Sequence, residues 1–131
     1  MSILVVSVSH KSTSVADLAD LALDTGSAGK LTDELLTSEH IDEAVVLATC
    51  NRTEIYASVS RFHGALADAS DALAGIGGLT VAELQARCAV YFDEGAVAHT
   101  FAVAAGLDSV VIGPTGTTGS LNWRRSGCRS A

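Results

Sequence analysis

Proline is nearly absent from this chain: one residue in 131, at Pro114, so no ring interrupts a helix or strand before it. Basic residues are also few. The 8 Lys and Arg face 15 Asp and Glu, a formal net charge of −7, which excludes a protein that holds nucleic acid by bulk charge. Arg124, Arg125 and Arg129 crowd the last residues. No apolar run approaches the roughly 18 residues that would span a bilayer. No basic segment precedes the apolar start Met1-Ser2-Ile3-Leu4-Val5-Val6, so neither a leader nor a membrane contact is expected, and the expected location is cytoplasmic. Cysteine is limited to Cys50, Cys88 and Cys128, an odd set without CxxC spacing, which argues against a disulfide framework and against a zinc site. No metal is expected.

What is present fits one folded domain. Apolar residues make up 48% and charged residues 18%, and the length is too short for two full catalytic domains. Ile3 to Ser9 reads as a strand ended by His10-Lys11-Ser12. Val15, Leu18, Ala19 and Ala22 recur with helical spacing behind a Ser14 N-cap. Gly26-Ser27-Ala28-Gly29 breaks that pattern, and Leu31, Leu35 and Leu36 with Asp33 and Glu34 then predict a second short helix. Ile41 to Thr49 is a buried strand, and Thr53 to Ser60 alternates as a half-buried one, with Ile55, Ala57 and Val59 on one face.

Ala65 to Ala74 is an alanine-rich helix ended by Gly75-Ile76-Gly77-Gly78, and Thr80-Val81-Ala82-Glu83 has the form of a capping box. Cys88 to Phe92 is a candidate last strand, followed by a helix from Asp93 to Ala105 that contains His99. The expected fold class is α+β, a mixed β-sheet of about four strands covered by helices. Composition shifts after Gly113: Pro114 to Ser120 is small and flexible, and Leu121 to Ala131 is polar, basic and without period. Residues 1–113 are therefore read as the domain and 114–131 as a poorly ordered tail.

The chemistry-bearing stretch is Ala48-Thr49-Cys50-Asn51-Arg52-Thr53-Glu54, directly after the apolar run Ala44-Val45-Val46-Leu47. By residue type alone a lone cysteine is most often a small buried hydrophobe. Here Thr49, Asn51, Arg52, Thr53 and Glu54 surround it with polar side chains in what reads as a loop, with a cation two residues on. Such surroundings favour the thiolate and make Cys50 a candidate nucleophile. His99 sits among apolar neighbours, where a histidine is more often packed than catalytic. Beside a nucleophile it becomes a candidate acid or base, and His10 is a second candidate with a solvated loop as its plain reading. Cys88 reads as a core thiol and Cys128 as an exposed, oxidisable one.

Three separated blocks resemble the N-terminal catalytic domain of the glutamyl-tRNA reductase family. They are Val8-Ser9-His10-Lys11-Ser12, then Ala48 to Tyr56, then Ala104-Ala105-Gly106-Leu107-Asp108-Ser109-Val110-Val111-Ile112-Gly113, in the family's order. The resemblance implies an NADPH-dependent oxidoreductase of tetrapyrrole (porphyrin) biosynthesis. In the family, the cysteine matching Cys50 attacks the ester linking glutamate to the tRNA 3′ end, and hydride from NADPH releases glutamate-1-semialdehyde from the thioester. By position, Thr49, Asn51 and Arg52 would hold the glutamyl group, with Arg52 on its carboxylate; Ser109 would line the pocket; His99 would match an activity-supporting histidine. The family also implies a homodimer and a partnership with glutamate-1-semialdehyde aminotransferase.

The chain departs from the family after Gly113, where an acidic residue and a glutamine-containing segment give way to Pro114-Thr115-Gly116-Thr117-Thr118-Gly119-Ser120. The NADPH-binding and dimerisation regions are expected to be missing, so the chemistry is expected to stop at the thioester or at slow ester hydrolysis. Val110-Val111-Ile112 with Gly113, Gly116 and Gly119 imitates a phosphate loop, but it has neither dinucleotide nor P-loop spacing. With a net charge of −7, tRNA binding must use a local basic patch drawn from Lys11, Arg52, Arg61, Arg87 and the tail arginines, and it is expected to be weak and salt-sensitive. The alternative reading is a non-catalytic remnant or binding module for the tRNA acceptor end or a partner protein.

Overall fold

The computed structural model describes residues 2–9, 25–49, 52–104 and 119–125. Strand β1 (Ser2–Ser9) is an interior strand of the sheet, with Leu4, Val5, Val6 and Val8 all fully buried. Strands β2 (Ile41–Thr49) and β3 (Arg52–Val59) form a hairpin, β3 pairs with β1, and the short β4 (Ala89–Phe92) closes the other side of β1. A fifth strand, β5 (Gly119–Arg125), lies against β2. The sheet has the order β4-β1-β3-β2-β5, and every one of these pairings is antiparallel.

The α+β class holds, with two differences from the sequence-based expectation. The sheet is antiparallel rather than mixed, because consecutive strands pair as a hairpin instead of through parallel crossovers. It also has five strands, since β5 falls within the segment read as tail. The arginines at 124 and 125 hide the weak alternation of Leu121 and Trp123.

Helix α1 (Thr25–Leu35) runs straight through the glycine-containing segment expected to break it. Ala28, Leu31, Thr32 and Leu35 recur at i, i+3, i+4 and i+7, and all are buried. This stripe outweighs a penalty of about 1 kcal/mol per helical glycine. The helix expected over residues 15–22 lies outside the described residues.

Helix α2 (Phe62–Gly77) buries Ala65, Ala69, Ala72 and Leu73 and ends at Gly78, whose φ of 68° is the left-handed conformation that glycine adopts freely. The Leu79 N–H then donates to the Ala74 carbonyl at 2.9 Å. Helix α3 (Val81–Arg87) opens with the expected capping box: the Glu83 N–H donates to Thr80 Oγ1 at 3.1 Å, and the Thr80 N–H donates to Glu83 Oε1 at 3.4 Å. Helix α4 (Glu94–Ala104) follows β4 through Asp93, which holds a positive φ of 49°. Asp93 is tied to β1 in both directions: its N–H donates to the Ile3 carbonyl and its Oδ1 accepts from the Ile3 N–H. Among the described residues no helix is long and apolar enough to cross a membrane.

The core lies on one face of the sheet. Leu4, Val6 and Val8 of β1, Ala44 and Val46 of β2, and Ile55, Ala57 and Val59 of β3 pack under α1 and α2. Cys88 packs against this core half-buried, as expected, and burial pushes its thiol pKa up.

Candidate active site

On the opposite face the register places polar residues side by side. Ser7 pairs with Glu54 and Ser9 with Arg52, so these residues and Tyr56 project to the side away from the core. Tyr56 is half-buried, and the others are buried: Glu54 is 0% exposed, Ser7 1% and Arg52 4%. Helix α4 brings in His99, itself buried, against Glu54.

Glu54 is the centre of this cluster. Its Oε2 meets His99 Nε2 at 2.5 Å, and its Oε1 accepts from the Tyr56 hydroxyl at 2.5 Å and lies 3.3 Å from Arg52 Nη1. The Ser7 hydroxyl donates to the same carboxylate. Burial by itself pushes the Glu54 pKa up. Hydrogen bonds from Ser7, Tyr56 and His99 and the Arg52 charge outweigh it, and the net direction is down. From the far side the Tyr91 ring stacks on the His99 imidazole, with centroids 4.1 Å apart and planes 12° from parallel. Three elements, β1, β3 and α4, thus converge on one carboxylate, and β4 backs the imidazole.

The cluster stands at the base of the β2–β3 connection. Thr49 ends β2, Arg52 begins β3, and the Arg52 N–H donates to Thr49 Oγ1 at 3.2 Å. Between them lie only Cys50 and Asn51 in the sequence. The strands expected over 41–49 and 53–60 are present, and the one difference at this connection is Arg52, which begins β3.

Of the expected site residues, the fold brings Arg52 and His99 together through Glu54 and holds Thr49 against Arg52. Cys50, Asn51, Ser109 and the second histidine candidate His10 lie outside the described residues, as do Lys11 and Cys128. Arg52 does not belong to an exposed basic patch, since it is buried and paired with Glu54. Arg61 is exposed and Arg87 is half-buried. Glu54 was missed as a site residue. The available signal was its spacing, since Arg52, Glu54 and Tyr56 occupy one face of a strand whose other face is plainly apolar. Among the described residues no group of His, Cys, Asp and Glu could hold a metal ion.

The fold and this cluster define an α+β domain with a buried ionic site on the face of its sheet away from the core. The family model for the glutamyl-tRNAGlu reductase N-terminal domain matches residues 6–121, and the chain belongs to this family. The match runs past Gly113 into the segment read as tail.

Glutamyl-tRNA reductase 1 of Nocardioides sp. is 49% identical over 113 residues, covering 86% of this chain and 26% of the relative. The glutamyl-tRNA reductase of Acidothermus cellulolyticus is 46% identical over 121 residues, 92% of this chain and 26% of the relative. The solved glutamyl-tRNA reductase from Methanopyrus kandleri matches with a TM-score of 0.57 and 27% identity, over 82% of this chain and 23% of that one. The chain thus spans about a quarter of the length of the relatives it matches.

Proposed function

We propose that this domain is the glutamyl acceptor of a glutamyl-tRNA reductase, with Cys50 as the nucleophile. The Cys50 thiolate attacks the carbonyl carbon of the ester joining glutamate to the tRNA terminal ribose. A sulfur–carbon bond forms, the carbon–oxygen bond to the ribose breaks, and the departing ribose oxygen takes up a proton. The product is a glutamyl thioester, which stays electrophilic because a thiolate is a good leaving group.

The observation that carries this reading is the convergence of Arg52 and His99 on Glu54 at the root of a two-residue connection whose first residue is a cysteine. A cation two residues from a cysteine in the sequence favours its thiolate over the thiol. A guanidinium has five N–H donors, enough to hold Glu54 and a substrate carboxylate together, which suits Arg52 to the glutamyl side chain. Thr49, Asn51 and Ser109 complete the proposed substrate contacts.

In the longer relatives' reaction, as the family resemblance has it, NADPH reduces the thioester. The described residues do not fit that cofactor. Among the described residues every strand pairing is antiparallel, and none forms the parallel strand–helix–strand turn that receives a dinucleotide pyrophosphate.

The test is labelling with tRNA charged with radioactive glutamate, followed by denaturation. The parent chain should retain label and the Cys50→Ser variant should lose it. Equal labelling of the two would overturn the assignment of Cys50. Binding of tRNA by the parent without label on the protein would favour a binding module instead.

A further inference from the structure

The Glu54 cluster asks for more than a structural explanation. A buried ion pair returns little net stability, because desolvation of both charges offsets their attraction; apolar side chains of similar volume would serve the fold as well. What the carboxylate supplies is geometry. It has two oxygens and receives donors from three directions: Arg52 and Tyr56 at Oε1, His99 at Oε2. Arg52 is the first residue of β3, and His99 stands on a separate helix, locked from behind by Tyr91.

We propose that Glu54 is a positioning residue for the acyl transfer: its buried carboxylate fastens Arg52 and His99 to one point at the start of β3, two residues after Cys50 in the sequence. Glu54 is fully buried, with no surface open to a substrate. It acts by fixing where the cation and the imidazole stand relative to the thiol. The inference rests on the reading of Cys50 as the glutamyl acceptor.

The chemistry of the side chain sets what replacements should do. Glutamine keeps the length but offers one acceptor oxygen, and its amide N–H2 faces donors. Aspartate keeps the charge but is one methylene short of spanning Arg52 and His99. Phenylalanine at position 56 deletes one hydrogen bond and leaves the rest of the cluster in place.

The experiment is single-turnover transfer from glutamyl-tRNA to the full chain in excess, with the rate constant and the amplitude read separately. Iodoacetamide alkylation serves as a control for thiol access. Glu54→Gln is expected to lower the rate constant by about 10- to 100-fold, the scale of a small misplacement of reacting groups. The amplitude per folded molecule and the half-saturating protein concentration should hold, and alkylation should persist. Glu54→Asp should recover part of the rate. Tyr56→Phe should lower it severalfold, and it decides the matter if Glu54→Gln does not fold.

A merely structural role would reduce the amplitude and leave the rate constant alone. That result, or parental rate constants in both Glu54→Gln and Tyr56→Phe, overturns the proposal. If the parent forms no adduct, or Cys50→Ser forms as much, the acceptor reading fails and the proposal falls with it; a parental adduct with an unmoved rate constant in the variants defeats the positioning role alone.

Discussion

The two faces of this sheet are built on opposite principles. One face is closed by Leu4, Val6, Val8, Val46, Ile55 and Val59 against the alanine and leucine stripes of α1 and α2. The other holds Ser7, Arg52, Glu54 and His99, all buried, under α4. Apolar packing needs volume and tolerates exchange of similar shapes. A buried carboxylate with several partners tolerates almost none, since removing any member leaves a polar group without its partner. The first face accounts for why the chain folds, and the second for why it folds with Arg52 and His99 in one place.

Substitutions that separate the faces should show this difference. The largest effect on folding is expected at Leu73, fully buried in α2. Leu73→Ala should cost about 3 kcal/mol in denaturant unfolding, while the transfer rate constant of the molecules that remain folded stays at the parental value. A fall in that rate constant would mean that the two faces are coupled.

The polar face should be the acid-sensitive one. The folded-state pKa of Glu54 lies below its ordinary value of 4.5, so its contribution to stability is present above that value. That contribution is lost as pH falls through the depressed folded pKa. Unfolding free energy measured against pH should therefore decline on acidification below 4.5 in the parent and more gently in Glu54→Gln. Equal slopes would show that Glu54 is not the linked group.

The smallest effect belongs to neither face. Thr80→Ala removes the capping box of α3 and should cost about 1 kcal/mol by thermal or denaturant unfolding, with no change in transfer. A change in transfer would tie α3 to the site.

The apolar face was readable from sequence because a period of two or of 3.6 in Ile, Val, Leu and Ala records directly which side faces a neighbour. Ile55, Ala57 and Val59 were placed on one face, and they are. The capping box at Thr80 and Glu83 was equally plain, because both halves of it are local. Helix α1 was read too short because glycine propensity is local, whereas the burial of Ala28 and Leu31 is tertiary. The polar face was harder for the same reason. His99 and Glu54 are 45 residues apart, and nothing in the chain announces that α4 lays one on the other. Arg52 was identified by type as a partner for a carboxylate. Glu54, two residues on, falls on the polar face of a half-buried strand, where a charged residue usually means solvent, and the register with Ser7 and the contact with His99 show this one to be inside.

The most direct measurement is peptide mapping by mass spectrometry after the chain is exposed to glutamyl-tRNA and quenched in acid. A glutamyl adduct on the peptide that joins β2 to β3, at Cys50 and absent from Cys50→Ser, is the result this account predicts. An adduct on Cys88 or Cys128, or one that survives the Cys50→Ser change, would contradict it.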